Sequence, residues 1–142
     1  MIAVDASVAC KWLWPEAGQE EADGLLRGQR RLLAPELIRL EVAGAVLRRV
    51  REGNLPEAEG RQRYRRWRQL LAEGAVFLVP DEEVLDEAVE CSFQLRHAIQ
   101  DCLYLAAARR FGVRLVTADR TFHDRARAAG ADVRMLPGCQ AS

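Results

Sequence analysis

Five short, largely apolar runs punctuate this chain, and they constrain its fold more tightly than anything else in it. They are Ile2-Ala3-Val4, Leu32-Leu33-Ala34, Ala75 to Val79, Val113 to Thr117 and Val133-Arg134-Met135. Runs this short and continuous suit strands covered on both faces, as in a parallel sheet. The segments between them read as helices. Ser7 can cap a helix through Leu13, which Pro15 stops. Gln19 to Arg27 turns Ala22, Leu25 and Leu26 inward. Pro35 closes the second run and suits the start of a helix to about Arg51, with Leu37, Leu40, Gly44 and Leu47 on its predicted inner face. A helix from about Pro56 to Glu73 buries Tyr64, Trp67, Leu70 and Leu71. Asp81 to Arg96 buries Val84, Leu85, Ala88, Cys91 and Leu95, with acids in its first turn. Ile99 to Phe111 ends at a Gly112 C-cap, and Asp119 to Ala129 ends at Gly130. The order is strand–helix–helix three times, then strand–helix–strand. It predicts an α/β fold, a short parallel sheet with helices on both faces.

The 142 residues suit one domain over 1–142 and bury about two thirds of the extended surface, so the core needs no disulfide or structural metal. Hydrophobic residues at 49% and charged residues at 30% exclude a disordered chain. The 21 basic and 21 acidic residues cancel. That argues against capture of nucleic acid by bulk charge and leaves local patches open. Among the basic residues only Lys11 is not arginine, a bias that reads first as GC-rich coding. The densest basic stretch, Arg61 to Arg68, reads at helical spacing as a solvated face. Cys10, Cys91, Cys102 and Cys139 form no C-x-x-C pair, which argues against zinc, and three of them sit among apolar neighbours as small buried hydrophobes. There is no glycine-rich phosphate loop and no nucleophile elbow around Ser7. No signal peptide precedes Asp5 and no apolar run approaches 18 residues, so a soluble cytoplasmic protein with no membrane partner is expected.

Four acids stand where a core is expected. Asp5 ends the first apolar run, and Asp119 follows the fourth. In a parallel sheet both positions open on the carboxyl edge, where ligand sites collect. Glu41 lies four residues from Leu37 and three from Gly44, on the predicted inner face of its helix. Asp101 precedes Tyr104 and Leu105 by three and four residues, again facing inward. Each has an ordinary reading: Asp5 and Asp119 as helix caps, Glu41 paired with a nearby arginine, Asp101 as a first-turn acid. Four carboxylates in one small core nevertheless need a shared cation or a set of basic partners. Without a histidine among them, they favour magnesium, with manganese as the alternative, over zinc. One such ion, or two about 4 Å apart, activates water and neutralises a phosphodiester in transit. Ser7 and Thr117 carry hydroxyls beside Asp5 and Asp119, where they either orient those acids or serve as ordinary strand-end and capping groups. His97 reads as a surface histidine before a helix.

These residues fall in four ordered segments that resemble the PIN-domain nucleases, and within them the VapC-type toxins of toxin–antitoxin pairs. The segments are Val4-Asp5-Ala6-Ser7-Val8-Ala9 with Lys11-Trp12-Leu13 and Pro15-Glu16; Pro35-Glu36-Leu37 through Leu40-Glu41-Val42-Ala43; His97 through Ala108 around Asp101; and Leu115-Val116-Thr117-Ala118-Asp119-Arg120-Thr121-Phe122. The resemblance runs from residue 2 to about residue 135. It implies a PIN-like three-layer fold with a five-stranded parallel sheet. It also implies Asp5, Glu41, Asp101 and Asp119 as metal ligands, with Ser7 and Thr117 beside them. The implied activity is Mg2+- or Mn2+-dependent endonucleolytic cleavage of RNA, by a homodimer whose cognate antitoxin lays its C-terminal tail across the active-site groove. Gly44 stands where many relatives carry Asn, and Gln100 where many carry an aromatic residue; both departures bear on substrate preference.

Two other function classes fit the same residues. A housekeeping RNA-processing nuclease would share the catalytic set, and the small size favours the toxin over it. A non-catalytic protein-interaction module would not need four intact carboxylates. Trp12, Leu13 and Trp14, near the first helix, are candidates for part of an antitoxin or dimer surface, since aromatics anchor interfaces, and Trp12 and Leu13 equally for core.

Overall fold

The computed structural model describes residues 1–139. Its strands are β1 (Ile2–Val4), β2 (Leu32–Pro35), β3 (Val76–Val79), β4 (Leu115–Thr117) and β5 (Val133–Met135). All pair in parallel, in the spatial order β3-β2-β1-β4-β5. The crossovers carry α1 (Ala6–Ala9), prolonged by a 3-10 turn over Cys10–Trp12, then α2 (Gln19–Arg27), α3 (Leu37–Arg51), α4 (Glu57–Ala72), α5 (Asp81–Leu95), α6 (Ile99–Phe111) and α7 (Arg120–Ala128). Helices cover both faces of the sheet, as the alternation predicts. Every residue of β1, β2 and β4 is buried, which is why those runs are continuously apolar. From β1 the chain builds outward through β2 and β3, then returns to the other side of β1 with β4 and β5. The strand order therefore reverses between β1 and β4, and the carboxyl edge at such a reversal is where open α/β sheets place their ligands.

Several predicted details differ. Leu40 and Leu47 of α3 are 71% and 62% exposed, and the face that packs inward is Ile38, Val42 and Val46. Both faces have helical spacing; the β-branched face won because it meets the sheet. Tyr64 and Leu85, read as buried, are also exposed. Pro35 closes β2 rather than opening α3. The cap of α1 is Asp5, not Ser7. Trp12, Leu13 and Trp14 are all buried and offer no partner surface. The Trp12 indole donates to Ala22 O at 2.8 Å and lies 6.3 Å from the Trp67 ring. Trp14 donates to Glu16 Oε2 at 3.0 Å beneath the Arg49 guanidinium. Arg61, Arg65, Arg66 and Arg68 are exposed, whereas Arg63 is half-buried. Among the described residues no helix is long and apolar enough to cross a membrane.

Helices α3 and α4 approach closely at Gly60. A Cβ there would lie 2.5 Å from Val50 Cγ2, and valine has little rotamer freedom with which to yield. Alanine gains about 1 kcal/mol in helix propensity over glycine, but the overpacking costs roughly 1–3 kcal/mol. Gly60→Ala is therefore expected to be neutral to destabilising by up to about 2 kcal/mol in urea unfolding; an increase in stability would contradict this packing.

Candidate active site

Asp5 sits where the strand order reverses, one residue past β1, and is 3% exposed. Its Oδ1 accepts from the Val8 amide at 3.2 Å and from Ser7 Oγ at 2.5 Å. Its Oδ2 accepts from the Thr117 hydroxyl, at the end of β4. Ser7 Oγ also accepts from the Ala118 amide at 2.8 Å, and Thr117 Oγ1 from the Asp119 amide at 3.0 Å. The two hydroxyls thus stitch the β1–α1 junction to the β4–α7 junction across the point where the strand order reverses. Asp119 caps α7, accepting from the Phe122 amide at 3.0 Å. Both acids read as possible caps are caps in the structure.

Burial pushes the Asp5 carboxyl up to about 6 against its three donors, and the nearby Asp101 charge adds to the rise. Glu41, half-buried on α3, is also raised, first by desolvation and then by Asp101 and Asp81. The Tyr104 hydroxyl, on α6, donates to Glu41 Oε1 at 2.6 Å. Burial and the carboxylates Glu41, Asp5 and Asp101 hold the Tyr104 proton firmly in place. Asp5 at the β1–α1 junction, Glu41 on α3 and Asp101 on α6 come from separate parts of the chain, and the Asp101 charge acts on both of the others. Like charges gathered this way disfavour full ionisation.

Asp101 has its own support. His97 Nε2 lies 2.5 Å from Asp101 Oδ2, and Nδ1 faces Arg125 Nη1 at 3.2 Å. The guanidinium can only donate, so Nδ1 accepts and Nε2 carries the hydrogen given to Asp101. The His97 ring packs on Phe122 at 5.2 Å between centroids, and its side chain is 10% exposed. His97 is thus not a surface residue. A histidine four residues before an acid on the same face was a readable signal for this contact. Asp81 was missed as well: its Oδ1 accepts from the Leu37 amide at 3.0 Å, tying α5 to the start of α3 near Glu41.

Among the described residues no three His, Cys, Asp or Glu side chains converge closely enough to enclose a metal ion. Each of the four acids rests on an internal donor instead. The donor chemistry is nonetheless that of a hard cation: carboxylate oxygens with surplus negative charge, and the His97 imidazole committed to Asp101. Magnesium typically takes one or two protein carboxylates and completes its shell with water and substrate oxygens, so this set fits it.

The PIN domain family model matches residues 2–128, and the chain belongs to that family. No curated protein matches the sequence. Among solved structures, the fold is similar to that of PAE2754 from Pyrobaculum aerophilum, at 20% identity and a TM-score of 0.65 over 87% of this chain and 78% of that one. It is similar to VapC20 of Mycobacterium tuberculosis, a sarcin–ricin loop cleaving toxin, at 16% identity and a TM-score of 0.62 over 92% and 96%. It is also similar to a chain of a toxin–antitoxin complex from Klebsiella pneumoniae, at 15% identity and a TM-score of 0.59 over 84% and 87%.

Proposed function

We propose that this PIN-domain protein is a Mg2+-dependent endoribonuclease toxin, with Mn2+ able to substitute, that acts in the cytoplasm as a homodimer and is restrained by a cognate antitoxin. The observation that carries the reading is that the Asp101 charge acts on both Asp5 and Glu41, with Asp119 linked to Asp5 through Thr117 and Glu41 held by Tyr104 of the Asp101 helix. Residue by residue, the resemblance assigns Asp5, Glu41, Asp101 and Asp119 to the ion. When bound, magnesium supplies a more acidic water and neutralises charge on the phosphodiester. The chain's own part is positioning. Ser7 and Thr117 fix both oxygens of Asp5, Tyr104 fixes Oε1 of Glu41, and His97 fixes Oδ2 of Asp101. Likeness in fold to a chain of a toxin–antitoxin complex and to a sarcin–ricin loop cleaving toxin supports the toxin reading by analogy.

The test is incubation of purified, partner-free protein with RNA. Cleavage in Mg2+ or Mn2+ and none in EDTA is expected, with light scattering reporting a dimer and the neighbouring gene product co-purifying with the protein. Intact RNA in both metals would overturn the nuclease reading.

A further inference from the structure

We propose that a basic concavity between α7 and the β4–β5 edge is a binding lane for the phosphate chain of single-stranded RNA, leading away from the carboxylate site; this rests on the nuclease reading above. Arg120, His123 and Arg127 share one face of α7 at helical spacing, and with Arg114 and Arg134 they line a hollow of about 520 Å3. Its floor is the buried pair Val133 and Met135. Arg114 is paired with Asp132 at 2.8 Å, and His123 with Asp124 at 2.8 Å. Arg127 and Arg134 are exposed, and among the described residues neither has an ion-pair or hydrogen-bond partner. Arg127 and Arg134 thus bring two uncompensated charges to one hollow, where an anion would offset their mutual repulsion.

The position of the hollow indicates which anion. Arg120 directly follows Asp119, the cap of α7. From Arg120 to Arg127 the helix advances about 10 Å, so the charge extends from the site as a strip rather than ringing one point. Charging β5 simply to protect an exposed sheet edge would not also recruit α7 and β4. The hollow has no exposed aromatic or aliphatic anchor of the kind a protein partner seats on. Planar guanidinium forks match phosphate geometry, and phosphate contacts position a strand without reading its sequence, so the lane contributes affinity without sequence preference.

The experiment compares wild type with the double variant Arg127→Ala/Arg134→Ala. Anisotropy of a labelled single-stranded RNA of about 20 nucleotides is followed in EDTA over a range of salt. Each lost phosphate contact lowers the slope of log affinity against log salt by about 0.7, so a loss of about 1.4 is expected, or roughly 25-fold weaker binding at 0.1 M salt. Arg61→Ala/Arg65→Ala, on exposed α4, should keep the wild-type slope. Hydrolysis of bis(p-nitrophenyl) phosphate in Mg2+, a diester too short to reach the lane, should be unchanged in both variants, as should their melting temperatures. An unchanged salt slope in the α7–β5 variant overturns the lane while leaving the nuclease reading intact. So does loss of antitoxin capture with RNA binding kept, which would make the hollow a protein site. Wild-type protein that neither binds nor cuts RNA removes both readings.

Discussion

Asp101→Asn is expected to fold normally and to cleave RNA on the order of 10³-fold more slowly than wild type. Outer-shell partners of metal ligands already cost roughly 10–100-fold when removed, and a carboxylate assigned to the ion itself should exceed that. His97→Ala supplies the internal comparison. It removes the donor to Oδ2 together with the Arg125 and Phe122 contacts while leaving the carboxylate in place, so a loss of roughly 10–100-fold is expected, with His97→Gln recovering part of it through its amide N–H. The metal-free melting temperature of Asp101→Asn should not fall. Its charge is one of the influences raising Asp5 and Glu41, and neutralising it relieves both. Magnesium should raise that melting temperature less than it raises the wild-type value, since ligand stabilisation tracks affinity. Exposed Glu59→Gln is the neutral control. Full cleavage by folded Asp101→Asn would reject Asp101 as an essential ligand.

The layer architecture was readable because β1, β2 and β4 are buried on both faces, which leaves an unbroken apolar run with few alternatives. Helix rotation was not. On α3 two apolar stripes compete, and only the sheet decides that Ile38, Val42 and Val46 turn inward while Leu40 and Leu47 stay wet. Glu41 nevertheless comes out half-buried, because it borders the true inner face, three residues after Ile38. The apolar triplet Trp12-Leu13-Trp14 was ambiguous for a similar reason. An indole suits a core or an interface equally, and the acceptors that settle it, Ala22 O and Glu16 Oε2, depend on how the chain turns after the 3-10 segment. The candidate acids were found from local context, since a charge at a strand end is conspicuous. What holds them was harder to see. Tyr104 reaches Glu41 across 63 positions of sequence, and Arg125 reaches His97 across 28. Such contacts have no local signature; they follow from the packing of α3, α6 and α7 at the edge where the strand order reverses.

Asp5→Asn should make the metal-free protein more stable at pH 7.5 while abolishing cleavage. The wild-type carboxyl titrates near 6 in the fold against 3.8 ordinarily, so the folded protein retains a proton that the unfolded chain has released. The folded state binds more protons over that window, and stability therefore falls as pH rises from about 4 through about 6. Above it, the ionised and desolvated carboxylate costs on the order of 3 kcal/mol. Asparagine still accepts from Ser7 and the Val8 amide, and its amide can donate to Thr117 Oγ1 while that hydroxyl turns toward Ser7 Oγ, 3.3 Å away. The variant is accordingly expected to gain on the order of 1–3 kcal/mol at pH 7.5 and little at pH 4. Raised Glu41 contributes in the same direction to both proteins, so the difference between them isolates Asp5. On the proposed reading magnesium would compete with the Asp5 proton, and below pH 6 its stabilising effect on wild type should weaken by about tenfold in affinity per pH unit. Asp5→Asn should show neither that pH dependence nor much response to magnesium. Urea unfolding of both proteins at several pH values, with and without magnesium, measures all three effects. A variant that loses as much stability at pH 7.5 as at pH 4 would mean that the charge on Asp5 is fully compensated inside the fold, and that no cation is needed to offset it.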